Sequence, residues 1–307
     1  MKHFINFDDL SGAGILDLLT LADRLKTLHR SGKQLDLLKN KTVGLIFNKP
    51  STRTRVSFEA GIYQLGGQAI HLSGQDMQLG HGETIEDTAK VLSRYIDAIM
   101  IRTFKQSDIV DLAQYGSIPV INGLSDLTHP CQVLADLFTI QEEKSELAGL
   151  KIAYVGDGNN MANTLLQACS KLNIKLSLAT PADYKPDSVI FKQAQALAGS
   201  DAITWSDDVY EAVKDADVVY TDTWVSMGDE SEKQEHLNAF RRYQVNSEVM
   251  SAAKSDAIFL HCLPAYRGEE VTAEVIDGPQ SRVFDEAENR LHVQKAILLQ
   301  LLAADAL

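Results

Sequence analysis

The chain has 307 residues, of which 45% are hydrophobic, and its formal net charge at pH 7 is −13. This length predicts two domains of about 150 residues each, and the acidic balance disfavours nucleic acid, whose binding usually needs a basic face. The sequence contains no apolar run of about 18 residues, so it predicts no membrane span. Three widely spaced cysteines and a first segment without an apolar secretory core favour a cytoplasmic location.

Strand-like and helix-like segments alternate through almost the whole chain. The sequence predicts strands at 42–47, 68–72, 97–102, 118–122, 151–155, 174–179, 202–205, 217–222 and 257–261. It predicts the main helices at 10–28, 52–65, 84–95, 107–115, 131–144 and 283–302. Alternation of this kind predicts an α/β fold of two domains, each a parallel sheet with helices on both faces. We expect the domain boundary near residue 146.

The most informative segment, residues 47–55, joins a predicted strand to a predicted helix. The first turn of a helix presents unpaired backbone N–H groups and the positive end of the helix dipole, so it attracts anions. The hydroxyls of Ser51, Thr52 and Thr54 and the guanidinium group of Arg53 add further donors. The segment therefore predicts a phosphate site. The alternative is an ordinary capped helix with two solvated arginines.

Further polar residues follow other predicted strands. They are Arg102, the run His129-Pro130-Cys131-Gln132, the run Asp157-Gly158-Asn159-Asn160, Asp222, and the run His261-Cys262-Leu263-Pro264. Ligands of open parallel sheets bind beyond the carboxyl ends of the strands. These residues are therefore candidates for a binding or catalytic site.

Four motifs stand out: Ser51-Thr52-Arg53-Thr54-Arg55, His129-Pro130-Cys131-Gln132, Asp222-Thr223-Trp224-Val225-Ser226-Met227-Gly228 and His261-Cys262-Leu263-Pro264-Ala265. Together they resemble the ornithine branch of the aspartate/ornithine carbamoyltransferase family. The first two are similar to the wider family, and the last two distinguish the ornithine branch. The resemblance implies transfer of the carbamoyl group of carbamoyl phosphate to the δ-amine of L-ornithine, which gives L-citrulline and phosphate. It implies direct attack through a tetrahedral intermediate, with no metal, cofactor or covalent enzyme intermediate.

The resemblance also implies a division of the chain and a set of site residues. Residues 1–145, with a C-terminal helix at 288–307 that returns to them, would bind carbamoyl phosphate, and residues 146–287 would bind ornithine. The implied ligands of carbamoyl phosphate are Ser51, Thr52, Arg53, Thr54, Gln78, Arg102, His129, Pro130, Cys131, Gln132, Cys262, Leu263 and Arg290. The implied ligands of ornithine are Asn160, Asp222, Ser226 and Met227.

Five of these residues are implied to be catalytic: Thr54, Arg102, His129, Asp222 and Cys262. By resemblance, Arg102, His129 and Thr54 lie at the carbonyl oxygen, and Asp222 pairs with the α-ammonium group of ornithine. Gln78 is implied to reach the site of a neighbouring subunit, so a homotrimer is expected. No nucleic acid or membrane partner is expected.

Rival functions are separated by particular residues. An NAD-dependent oxidoreductase is suggested by the run from Gly156 to Asn160, but Met161 stands where its fingerprint needs a third glycine. A relative that only binds carbamoyl phosphate would not need Asp222. Aspartate, N-acylated ornithine and putrescine are alternative acceptors, and a zinc site at His261 and Cys262 lacks a second ligand pair at the usual spacing. The sequence leaves open whether the reaction runs towards citrulline or back from it.

Overall fold

The computed structural model describes residues 1–8, 10–33, 35–74, 82–225 and 233–304. The chain forms two compact units. Unit 1 consists of Met1–Phe138 and Glu288–Leu307, and unit 2 consists of Thr139–Ala287. Each unit contains one parallel sheet covered by helices, which confirms the expected fold class, including the return of the C-terminal helix to the first unit. The sequence suggested a boundary after residue 145, whereas the units separate at Phe138, within a helix.

Unit 1 has a four-stranded sheet. Its strands are β1 (Thr42–Phe47), β2 (Gln68–Ser73), β3 (Ala98–Arg102) and β4 (Val120–Leu124). Its helices are α1 (Gly12–Arg30), α2 (Thr52–Gln64), α3 (Ile85–Leu92), α4 (Gln106–Tyr115), most of α5 (Pro130–Lys144) and most of α12 (Val283–Leu302). β1, β3 and β4 are almost wholly buried, whereas β2, at one edge of the sheet, is partly exposed along its length.

Unit 2 has a five-stranded sheet. Its strands are β5 (Lys151–Val155), β6 (Lys175–Ala179), β7 (Ile203–Ser206), β8 (Val218–Thr221) and β9 (Ile258–His261). Its helices are α6 (Asn160–Cys169), α7 (Ser188–Ala198), α8 (Val209–Val213), α9 (Lys233–Phe240), α10 (Ser247–Ala252) and α11 (Ala273–Ile276), with a 3₁₀ helix at Arg241–Tyr243. Among the described residues, no helix has the length and apolar character needed to cross a bilayer.

The strand order of each sheet identifies where a ligand should bind. The order in unit 1 is β2-β1-β3-β4, so the chain leaves β1 towards one edge of the sheet and leaves β3 towards the other. The order in unit 2 is β7-β6-β5-β8-β9, so the same reversal occurs between β5 and β8. Crevices beyond the carboxyl ends of strands at such reversals are the usual ligand sites of open parallel sheets. Each unit therefore has one expected binding position.

Candidate active site

The predicted phosphate site lies beside the reversal in unit 1. Ser51 caps α2, since its side-chain oxygen accepts a hydrogen bond from the backbone N–H of Thr54 at 3.3 Å. Arg290 of α12 donates from Nη2 to the hydroxyl oxygen of Thr54 at 2.8 Å, and both residues are buried. Because the Thr54 oxygen accepts this bond, its own O–H remains a donor. The start of α2 thus combines backbone donors, hydroxyl groups and an arginine.

An open cavity borders this helix start. It has a volume of about 650 Å³ and lies at the carboxyl ends of β1 and β2, where Ser51 and Thr52 contribute to its lining. Arg55 also lines the cavity and donates from Nε to Glu59 at 2.9 Å, one turn further along α2. Arg55 is therefore held by its own helix.

Arg102 and His129 add charge and donors to the same unit. Arg102 is the last residue of β3 and pairs in register with Phe47, the last residue of β1, so it stands next to the strand that leads to Ser51. Both Arg102 and His129 are buried. Burial of the ring, together with Arg290, Arg102 and Arg53, holds the pKa of His129 well below its usual value. His129 is therefore a neutral imidazole at pH 7 and can donate a hydrogen bond without carrying a positive charge.

The first turn of α5 holds three more predicted ligands, which are Pro130, Cys131 and Gln132. The side-chain amide of Gln132 donates to Asp136 at 2.8 Å, and both side chains are buried. This bond fixes which end of the amide is the acceptor, so Asp136 orients Gln132. The sequence reasoning missed Asp136, although its spacing of four residues on one helix is a recognisable signal.

Cys131 is a structural thiol. Its sulfur donates to the backbone carbonyl of Asn122 at 3.3 Å, and burial raises its pKa to about 12. A thiol with so high a pKa carries no thiolate at neutral pH and is a poor nucleophile. Pro130 starts α5, a position where a missing N–H costs the helix nothing. Any contact of these two residues with a ligand would therefore involve the backbone.

Asp222 follows β8 at the reversal in unit 2, and three donors fix its carboxylate. Asn159 donates from Nδ2 to Oδ2 at 3.1 Å. The Thr223 backbone N–H donates to Oδ1 at 2.7 Å, and the Cys262 thiol donates to Oδ1 at 3.0 Å. Asp222 is only 8% exposed, so its orientation is set by these bonds rather than by water. An oriented carboxylate of this kind is suited to an ammonium group.

Asn159 belongs to one of the polar runs singled out in the sequence, but no role was predicted for it. It caps α6 by accepting from the backbone N–H of Met161 at 2.8 Å, and it also accepts from the hydroxyl of Tyr154 at 3.2 Å. These bonds hold the side-chain oxygen, so the amide nitrogen is directed at Asp222. Asn160, the predicted ligand, is the next residue and the first of α6.

The loop after β9 is anchored by two buried acids that the sequence also missed. The Leu263 backbone N–H donates to Nδ1 of His261 at 2.9 Å, which leaves Nε2 as the donor to Glu270 at 3.1 Å. Glu286 accepts from the backbone N–H of His261 at 3.0 Å. His261 and Glu270 are fully buried. These contacts fix the backbone at Cys262 and Leu263.

Donor atoms of Asp222, His261 and Cys262 lie within 4.8 Å of one another, which is the spacing of a possible metal site. However, both ring nitrogens of His261 already take part in hydrogen bonds, and the thiol of Cys262 donates to Asp222. The cluster therefore satisfies its own hydrogen-bonding groups, which favours the structural interpretation over a zinc site.

Gly158 allows the turn before Asn159 to approach a neighbouring segment. Its N–H donates to the carbonyl of Tyr184 at 2.9 Å, and an added Cβ would overlap the backbone at Lys185 and Pro186. We expect Gly158→Ala to lower the free energy of unfolding by about 1–3 kcal/mol, the usual cost of overpacking, because a backbone segment must move. Chemical denaturation measures this free energy of unfolding. Gly149→Ala would be an unsuitable control, because Gly149 has a positive φ. Gly14→Ala, whose added Cβ meets only ordinary contacts, is the matched control and should not lose stability.

The predicted residues divide between the two units. Unit 1 holds Ser51, Thr52, Arg53, Thr54, Arg102, His129, Pro130, Cys131, Gln132 and Arg290, and unit 2 holds Asn160, Asp222, Cys262 and Leu263. Gln78, Ser226 and Met227 lie outside the described residues.

Comparisons with known proteins agree with this arrangement. The family model "Aspartate/ornithine carbamoyltransferase, carbamoyl-P binding domain" matches residues 2–142, and the model "Aspartate/ornithine carbamoyltransferase, Asp/Orn binding domain" matches residues 148–301. The chain is 59% identical over 301 residues to the ornithine carbamoyltransferase of Caldicellulosiruptor saccharolyticus, covering 97% of this chain and 98% of that relative. The ornithine carbamoyltransferase of Bacillus subtilis is 54% identical over 303 residues, covering 98% and 94% of the two chains.

A solved structure shows the same likeness. The ornithine carbamoyltransferase of Pyrococcus furiosus superposes with a TM-score of 0.95 at 50% identity, covering 98% of this chain and 97% of that one. The chain therefore belongs to the aspartate/ornithine carbamoyltransferase family. Its full-length relatives named above are all ornithine carbamoyltransferases, which confirms the branch that the four motifs indicated.

Proposed function

We propose that the protein transfers the carbamoyl group of carbamoyl phosphate to the δ-amine of L-ornithine, giving L-citrulline and phosphate. The observation that carries this proposal is the end-to-end match to ornithine carbamoyltransferases, which covers both units at more than half identity. The geometry of each unit supports it separately. Unit 1 offers cations and helix N–H groups to an anion, and unit 2 offers an oriented carboxylate to an amine.

The charges of unit 1 explain how it would bind carbamoyl phosphate. The phosphate group of this substrate carries two negative charges. It would be bound by the Arg53 guanidinium, the hydroxyls of Ser51 and Thr52 and the N–H groups at the start of α2. The carbonyl oxygen would accept from Arg102, His129 and the Thr54 hydroxyl. Arg290 holds Thr54 in position for this bond. The carbonyl end of the Gln132 amide, set by Asp136, would accept from the carbamoyl N–H₂ group.

The chemical step needs stabilisation of the carbonyl oxygen as it gains charge. The neutral δ-nitrogen attacks the carbonyl carbon, a C–N bond forms, and a tetrahedral species carries the negative charge on oxygen. The carbonyl group then re-forms as the C–O bond to phosphate breaks, phosphate leaves with the electron pair, and the proton lost by the δ-nitrogen passes to the departing phosphate. Because His129 is neutral, it adds a donor without adding to the charge that attracts the phosphate.

Ornithine would bind through unit 2. Asp222 would pair with the α-ammonium group and Asn160 with the α-carboxylate, which distinguishes a free amino acid from an N-acylated one and from putrescine. The roles of Ser226, Met227, Cys262 and Leu263 at the substrates remain predictions, as does a cytoplasmic location.

The acceptor is tested by comparing four amines. Purified protein is incubated with carbamoyl phosphate and L-ornithine, N-acetylornithine, putrescine or L-aspartate, and each carbamoylated product is measured. We expect kcat/KM for ornithine to exceed that for every other acceptor. A higher value for any other acceptor would refute the proposed function.

Asn159 is a positioning residue for Asp222, and its replacement should act on ornithine alone. We expect Asn159→Ala to raise the KM for ornithine about 10–150-fold, since it removes one hydrogen bond to a buried carboxylate, worth about 1.5–3 kcal/mol. The KM for carbamoyl phosphate should stay unchanged. Steady-state kinetics of both substrates measure the two values. Equal effects on both would mean that Asn159 only stabilises the fold.

Association into trimers and the role of Gln78 are proposed together. We expect light scattering to give a mass of three chains. If Gln78 completes the site of a neighbour, then the Gln78→Ala and Arg102→Ala variants should each be inactive. Subunits of the two variants are then mixed by reversible denaturation. The hybrids should regain activity, because some of their sites receive both intact residues. Hybrids that form without any regain of activity would contradict a shared site.

A further inference from the structure

We propose that unit 1 has a second anion site, formed by α1, α2 and α12, that binds a small oxyanion. A cavity of about 270 Å³ lies among these helices. Its lining includes Leu25, His29, Lys33, Tyr63, Gln64 and Lys295. None of these residues belongs to the proposed carbamoyl phosphate set, so the cavity is a separate feature of the unit.

Lys295 is the residue that indicates an anion. It lines the cavity, yet it is only 3% exposed, and no described residue forms a hydrogen bond or an ion pair with it. Its stem passes Gly61 of α2, where an added Cβ would already touch Lys295 Cγ at 3.4 Å. A buried ammonium group without a counter-ion is costly. Burial accordingly lowers the pKa of Lys295 to about 8. An anion in the cavity would supply the missing charge.

The two nearby imidazole rings do not offset the charge of Lys295. Its charge contributes to lowering the pKa of His29 and of His292, the latter to about 4, although burial is the larger cause for both rings. The two rings lie 5.6 Å apart. Lys26, also buried, donates to Asn289 at 2.8 Å. The described residues that line the cavity include two lysines and no acid.

The acid of α12 beside these basic groups, Glu288, already has other partners. Glu288 lies 3.3 Å from Arg30 and 3.5 Å from His292. It therefore leaves the charge of Lys295 uncompensated. Lys33 and His29, on the exposed rim of the cavity, can add donors to an anion that reaches Lys295.

Selenate is a suitable probe, because its selenium atom is located by anomalous scattering. Crystals of the full-length protein are soaked at low millimolar selenate. We expect one peak within hydrogen-bond distance of Lys295 Nζ, apart from any peak at Ser51 and Arg53. Lys295→Met should lose the first peak and keep any peak at Ser51 and Arg53. No peak in the cavity, a cavity peak that survives Lys295→Met, or an adventitious ion that appears only at high concentration would overturn the proposal.

A solution measurement guards against crystal effects. Acetylation of individual lysines is followed by peptide mass spectrometry with and without sulfate, with exposed Lys39 as the matched control. We expect sulfate to slow the modification of Lys295 at least several-fold and to leave Lys39 unchanged. Equal rates at Lys295 would refute the site. Lys295→Met keeps the length of the side chain and removes an unpaired buried charge, so its unfolding midpoint without anion should rise. A lower midpoint would show that Lys295 has a partner and would also refute the proposal.

Discussion

Arg102→Met should lower kcat by about 10²–10³-fold or more, because it removes a preorganised donor at the oxygen that becomes negative during attack. Arg102 is buried at the end of β3, next in register to the last residue of β1, so the lost charge is not replaced by water. The KM for ornithine should change little. Stopped assays of citrulline formation at saturating substrates measure the effect.

The control for Arg102 is Arg24→Met, which removes an exposed arginine from α1 of the same unit. It should retain full activity, and circular dichroism should show that both variants are folded. A loss of less than about tenfold for Arg102→Met, about 1.4 kcal/mol, would remove Arg102 from the oxyanion role.

Asp222→Asn should have the second large effect, and on the other substrate. We expect kcat/KM for ornithine to fall by about 10²–10³-fold, since truncating one partner of a buried charge pair costs about 2–5 kcal/mol. The substitution keeps the shape of the side chain, so Thr223, Cys262 and Asn159 still surround it. Binding of carbamoyl phosphate, measured by equilibrium dialysis without ornithine, should stay unchanged.

Asp201→Asn, at an exposed position of unit 2, is the matched control and should behave as the wild type. An Asp222→Asn variant with normal kcat/KM for ornithine would show that the α-ammonium group binds elsewhere. If the variant loses affinity for carbamoyl phosphate to the same extent, then Asp222 does not act on ornithine alone.

Local patterns predicted the elements well where hydrophobic runs are bounded by turns. The strand at Thr42–Phe47 and the helix at Val283–Leu302 have the bounds that the sequence indicated. The fourth strand was expected at 118–122 but begins at Val120. Pro119 has no N–H to donate to a neighbouring strand, so the strand begins only after it.

The order of the strands and several supporting residues could not be predicted from local sequence. The periodicity that marks β1, β3, β5 and β8 does not reveal which strands are neighbours, so it could not place the reversals where Ser51 and Asp222 lie. Asn159 meets Asp222 across 63 positions of sequence. An isolated acid such as Glu270 gives no signal that it will hold a buried histidine. The motifs were enough to identify the candidate site residues, whereas the residues that orient them are visible only in the fold.

The proposed function requires Arg53 of unit 1 to bind carbamoyl phosphate and Asp222 of unit 2 to bind ornithine. A bisubstrate analogue tests both contacts at once. The analogue is a phosphonate joined through an amide to the δ-nitrogen of ornithine, and its affinity is measured by calorimetry. We expect the wild type to bind the analogue far more tightly than phosphate or ornithine alone, and Arg53→Met and Asp222→Asn each to weaken it by about 100-fold or more. Unchanged affinity in either variant would show that the replaced residue does not bind the analogue.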